Sequence, residues 1–382
     1  MTTDQLATAA PAPGGRIEPV AGPARSAHSL LDRGFTLLTR GAVSLYAAAA
    51  LRIGYGLIYL AFLLREFPHR DEIWGPDSPW TPALATELFR QTGWFSFLTL
   101  SDSRVYLDVC YLAALAVCAL FMLGWRTRAT SILFAVVVAA FHARAIFMTD
   151  GGDNLILLMA LYLTCTASGR RWSLDARRTA RRAGAGRLDR WALWRATSDL
   201  WSQAAVARGC LVTALHNCAM LVIAAQVCLL YGSAGLYKVQ GASWQNGTAL
   251  HYVLNLDLFR PWPALSAVAD SHPLFVAVSS YLTVLLQVAF PFALFSRLKY
   301  VVLVMLLGMH LGIAVLMGLP IFSGAMIVAD AAFLPDRFYR SAARLGRRAL
   351  GRVRSGPPVT PPRRTGLVPT QPGDTEPAAQ AP

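Results

Sequence analysis

The chain has 382 residues, of which 55% are hydrophobic and only 15% are charged. Soluble domains carry nearer a quarter charged residues, so the apolar runs read as one membrane bundle rather than as two soluble domains. The net charge of +14 does not point to nucleic acid, because the arginines stand in blocks between apolar runs with no recognition helix or stacking platform among them.

Residues 1–28 are rich in Ala, Pro and Gly and lack the apolar core of a signal peptide. Residues 1–40 are therefore expected to be a mostly disordered cytoplasmic arm. A helix needs about 20 apolar residues to cross hydrocarbon. Eight candidate spans follow, at 43–64, 105–124, 129–148, 153–168, 211–236, 274–296, 299–318 and 320–335, the fourth and last of them short. The predicted fold is an all-α polytopic transmembrane bundle over residues 41–340, followed by a basic, Pro-rich tail at 341–382.

Charge in the connections orients the bundle. The 169–210 connection holds ten Arg against three Asp, and the tail from 335 holds nine Arg. Arg126, Arg128, Arg297 and Lys299 fall on the same side in an eight-span arrangement. Residues 65–104 hold four Arg against six acids, and 237–273 hold one Lys and one Arg. The positive-inside rule then predicts a multi-pass cell-membrane protein with both termini in the cytoplasm. Residues 238–262 are too polar to span and too aromatic for a plain loop, which suits an outer re-entrant or surface-lying segment.

The six cysteines form no C-x-x-C pair, so they read as small buried hydrophobes, and no metal is expected. Of 35 basic residues only Lys238 and Lys299 are lysine. Arginine is effectively always charged, whereas a desolvated lysine can lose its proton and act as a base. Lys238 is the candidate for that role, against the alternative of a lysine snorkelling to headgroups. The segment Gly151–Asn154 reads as a turn with a helix N-cap, Asp serving the first amides, and Asp153 is expected at the membrane level of Lys238. His310 lies about 12 Å below the outer end of its span, and an ionisable group at that depth points to function. Arg52 and Gln287 are expected to face the bundle interior, and Asp330 reads as structural. A b-type haem would need two histidines at one depth, for which His142 and His310 are the available pair.

Taken together, these residues resemble the HTTM-domain proteins, bacterial relatives of the vitamin K-dependent γ-carboxylase. The resemblance runs over roughly residues 40–340, from Arg52 through GWRTR (124–128), GGDNL (151–155), WSLD (172–175) and GLYKVQGASW (235–244) to HLGIAVLMGLPIFSGAM (310–326). It implies that Lys238 corresponds to the lysine thought to deprotonate a reduced quinone of the vitamin K type, and that His310 corresponds to a family histidine. The eukaryotic carboxylase has a histidine near the place of Asp153, so that histidine's role does not carry over. The expected site places Lys238 as base, with His310, Asp153, Asn154 and Arg144 as substrate-binding partners and Trp244 and Tyr252 in a lid. Expected partners are the bilayer, a quinone and a lipid or peptide substrate, with no nucleic acid. The alternative is a non-enzymatic binding or export-accessory protein of the toxin-maturation type.

Overall fold

A computed structural model describes residues 38–39, 41–184 and 199–354; the expected N-terminal arm of 1–40, but for 38–39, lies outside them, as does the expected tail of 341–382 beyond Arg354. Every regular element among the described residues is helical. In chain order they are α1 Leu45–Glu66, α2 Arg70–Trp74, α3 Pro82–Thr92, α4 Arg104–Leu123, α5 Thr127–Arg144, α6 Gly151–Thr164, α7 Leu174–Gly184 and α8 Asp199–Val239. Then come α9 Ala242–Gln245, α10 Ala249–Leu254, α11 Pro263–Asp270, α12 Pro273–Ala293, α13 Lys299–Leu316, α14 Pro320–Asp330 and α15 Asp336–Arg354.

The boundaries follow local chemistry. Helices α3, α11, α12 and α14 begin on proline, whose missing N–H costs nothing in a first turn. Thr81 Oγ1 accepts from Leu84 N to cap α3, and Gly93 ends it at φ 74°. Gly124, at φ 69°, stops α4 before the GWRTR turn.

Each of the eight predicted segments coincides with a helix. Five helical stretches are long and apolar enough to cross a membrane: Leu45–Trp74, Arg104–Leu123, Leu200–Val239, Pro273–Ala293 and Lys299–Leu316. Gly151–Thr164 and Pro320–Phe333 are apolar but shorter, and α5 carries Arg128, His142 and Arg144 within its 18 residues. The apolar helices make this chain compatible with an integral membrane protein.

Two connections are more ordered than their polarity implies. Within 169–210 lies α7, and α8 starts at Asp199, twelve residues before the apolar run at 211. Its first turns are built from Leu, Gln, Ala and Arg, good helix formers with no breaker among them until Gly209. The 238–262 segment contains α9 and α10, which pack on α12.

The core is built around α1, which packs on α4, α6 and α14. Its buried face carries Ala47, Ala48, Leu51, Arg52, Tyr55 and Tyr59, the i, i+4 stripe of a helix enclosed on several sides. Gly54 and Gly324 let α1 and α14 cross closely: a Cβ on Gly54 would meet Val328 at 2.6 Å. A second close pair is α8 with α12. Residues to Asp336 make up one compact unit and Arg337 onward another. In the second, α15 sets Arg337, Arg340, Arg344, Arg347 and Arg348 on one arc and Phe338, Ala342 and Leu345 on another.

Candidate functional site

Lys238 occupies the last turn of α8. Small residues in YGSAGLYK let α12 approach this turn, since a Cβ on Gly235 would meet Val288 N at 2.9 Å. A tight turn follows, in which Gly241 N donates to Lys238 O (3.0 Å) and Trp244 N to Gly241 O (3.0 Å). It brings the Trp244 ring to 5.3 Å from Lys238 Nζ, a cation–π contact. Lys238 Nζ also donates to Ala234 O at 3.4 Å. Among the described residues, no carboxylate pairs with it.

His310 belongs to a different cluster. It is buried on α13, with Nε2 2.9 Å from Tyr231 Oη. Tyr231 Oη donates to Asp330 Oδ2 at 3.0 Å. A phenol has one proton, so with Asp330 ionised the chain of donors runs from His310 Nε2–H through Tyr231 to Asp330. Sequence distance from the α13–α14 turn explains why Tyr231 is needed. His310 lies eight residues before Gly318 and Asp330 twelve after it, an offset of about 6 Å along antiparallel helices. A tyrosine side chain spans that offset. Phe290 packs on Tyr231 (4.7 Å between ring centroids) and Phe322 on His310 (6.0 Å). His310 Nδ1 and Asp330 Oδ1 remain without a hydrogen-bond partner, as does Gln287 Oε1 on α12.

Gly151–Asn154 is a helix start, as expected, with the cap one turn earlier than Asp153. Asp150 Oδ1 accepts from Gly152 N (2.6 Å) and Asp153 N (3.1 Å), while Asp153 Oδ2 accepts from Asp150 N (2.9 Å), a reciprocal capping box. Asn154 Nδ2 donates to Asp150 O (3.0 Å). Asp153 also lines a cavity of about 140 Å³ with Tyr59, Arg65, Trp74 and His142. Arg65 is paired with Glu66 at 2.5 Å there.

Arg144 is fully buried and donates to Gly75 O (3.2 Å), which pins the 65–104 connection. Trp74 Nε1 donates to Phe141 O (3.1 Å) beside it. Tyr252 is 59% exposed, its ring against His251. His251 and Asn255 both bond Asp270, at 2.6 and 3.0 Å. The Asn255 amide, with His251, holds the Asp270 carboxyl below the usual carboxylate range. An apolar cavity of about 380 Å³ opens between α12 and α13, walled by Leu250, Phe275, Leu286, Met305 and Met309; His310 is not among its lining residues.

The structure thus joins Lys238 with Trp244, and Asp153 with Asn154. It sets Arg144 and Tyr252 among other partners. His142 lines the Asp153 cavity, while His310 is engaged by Tyr231. Sequence reasoning missed Tyr231 and assigned Asp330 to the scaffold alone. The available signal was an ionisable group near an apolar span with no partner in its own helix.

The remaining motifs form a separate knot. Arg52 is buried and donates to Phe121 O (3.3 Å) and Trp172 O (2.7 Å). Gly124 leaves room for the Arg52 guanidinium, where any Cβ would overlap it. Asp175 accepts from Arg126 N (3.0 Å), Thr127 N (2.7 Å) and Thr127 Oγ1 (2.8 Å). Burial pushes the Asp175 carboxyl up, but these hydrogen bonds and the Arg178 charge outweigh it and hold it below its ordinary value. Arg52, GWRTR and WSLD are therefore one fastening between α1, α4, α5 and α7. No protein-family model, curated protein or solved structure matches the chain.

Proposed function

We propose that this chain is an eight-span membrane protein with both termini in the cytoplasm, which acts at its outer face on a lipid-soluble, quinol-type substrate with Lys238 as the base. The observation that carries the reading is the setting of Lys238: an amine at the end of an apolar helix, against Trp244, with no carboxylate partner among the described residues. Nothing there holds the side chain as an ammonium by ion pairing, and a base must be available neutral. Its step is to take the proton of a substrate hydroxyl onto Nζ. The apolar cavity between α12 and α13 supplies a place for a lipid-soluble body. Buried atoms left unpaired at His310, Asp330 and Gln287 also favour a working interior over a passive one. In this orientation α9 and α10 lie along the outer surface, and the Asp175 knot faces the cytoplasm.

The second reading is a non-enzymatic export-accessory protein, favoured by the Lys238–Trp244 contact, which an interfacial anchor would also make. Purified protein supplied with a reduced vitamin K-type quinone and oxygen separates the two. Formation of the epoxide supports the first reading and its absence the second. Lys238→Arg keeps the charge but cannot give up its proton. It is expected to insert and fold normally and to lose turnover as fully as Lys238→Ala; full activity in Lys238→Arg would end the case for a lysine base.

A further inference from the structure

The strongest unassigned feature is a groove of about 460 Å³ at the Asp175 end of the bundle. Three arginines from separate elements line it: Arg128 from the first turn of α5, Arg170 from the turn before α7, and Arg208 from α8. All three are exposed, and among the described residues none of their guanidinium groups makes an ion pair or a hydrogen bond. The acid in the lining, Asp175, is taken up by Thr127 and Arg126. Its charge therefore neutralises one of the three guanidinium groups at most. On α8, Ala205 and Val212 flank Arg208 and add an apolar strip to the lining.

We infer that this groove is a binding site for a phosphate-bearing anion. Guanidinium forks match phosphate oxygens two at a time, and three of them around one concavity favour a polyoxygen anion over a single carboxylate. The apolar strip and the volume, larger than a lone phosphate needs, leave room for the glycerol end of a phospholipid headgroup. Free phosphate and an anionic lipid headgroup present the same chemistry to the arginines. The site does not depend on the chemistry proposed for Lys238.

Full-length protein in dodecyl maltoside, titrated with inorganic phosphate and separately with dihexanoyl phosphatidylglycerol, tests it by phosphorus NMR line broadening. Wild type is expected to broaden at least one probe. Arg170→Gln with Arg208→Gln should weaken that binding about tenfold, the scale of one or two lost charge-assisted bonds. The same charge change within the same unit, Arg90→Gln with Arg104→Gln, should move it less than about twofold, because Arg104 begins α4 and the groove lies beyond that helix's other end, so only screened long-range charge is altered. Broadening of phosphatidylglycerol alone assigns the groove to a headgroup; broadening of both, with mutual competition, assigns it to phosphate whatever carries it. No broadening of either probe, or equal weakening by the two double variants, would overturn the inference.

Discussion

At the residue scale, the informative groups are those whose partners lie far away in sequence. Tyr231 ties His310 to Asp330 with a single hydroxyl. Tyr231→Phe keeps the ring against Phe290 but strands His310 Nε2 and Asp330 Oδ2 in an apolar interior. The expected cost is about 1–3 kcal/mol, the usual penalty for a buried unsatisfied group. Thermal unfolding in detergent would read it, and an unchanged midpoint would show that water or local movement satisfies both atoms. The sequence made Lys238 conspicuous by rarity and His310 by depth. It could not show that Asp330, near the end of α14, returns to the level of Tyr231. That depends on the α13–α14 hairpin and on α8 passing beside it. The capping residue was displaced for a related reason: two aspartates three apart both fit a helix start, and only the direction of the chain before Gly151 selects Asp150.

At the element scale, close crossings decide which substitutions are tolerated. A Cβ on Gly152 would sit 2.8 Å from Phe322 Cα, a backbone atom that cannot turn aside, whereas one on Gly151 would meet only the Phe322 ring edge at 3.7 Å. Gly152→Ala is therefore expected to cost about 1–3 kcal/mol as an overpacked contact, with Gly151→Ala near neutral. Equal melting temperatures for the two variants would contradict the crossing. The fastening at Asp175 gives a pH signature. Its carboxyl is held below the ordinary value, so its contribution is complete above the unfolded pKa near 4 and is lost as pH falls through the lower folded value. Asp175→Asn should lose about 1 kcal/mol at neutral pH, as for a lost cap, and blunt the acid limb of unfolding. An acid transition identical to wild type would count against this role. Apolar runs made the helical segments legible in advance, five of them long enough to cross a membrane. What they could not reveal was that Arg52, GWRTR and WSLD serve one joint, because backbone carbonyls at Phe121 and Trp172 carry no sequence signal.

At the scale of the whole molecule, the proposed orientation makes separable demands. Single cysteines on a background lacking the native ones are expected to react with an impermeant reagent in intact cells at Ser271→Cys, between α11 and α12. Ser296→Cys, in the turn between α12 and α13, should react only after permeabilisation. Labelling of Ser296→Cys in intact cells would invert the bundle. The two turns are joined by α12, which is long and apolar enough to span alone, so a single crossing is tested without assumptions about the shorter helices.

The length of α8 has a mechanical consequence. Its 41 residues make a rod of about 60 Å, twice the hydrocarbon thickness of about 30 Å. Arg208 stands near one end and Lys238 at the other, about 45 Å apart on a single uninterrupted axis. A rod of that kind behaves as a shaft: a twist or tilt imposed at the arginine end must reappear beside Trp244 unless the helix breaks. One alanine inserted between the two positions would turn them out of phase by about 100° while leaving each end chemically intact. The angular register of Arg208 and Lys238 is thus set by the backbone of α8 itself, whatever packs against the helix between them.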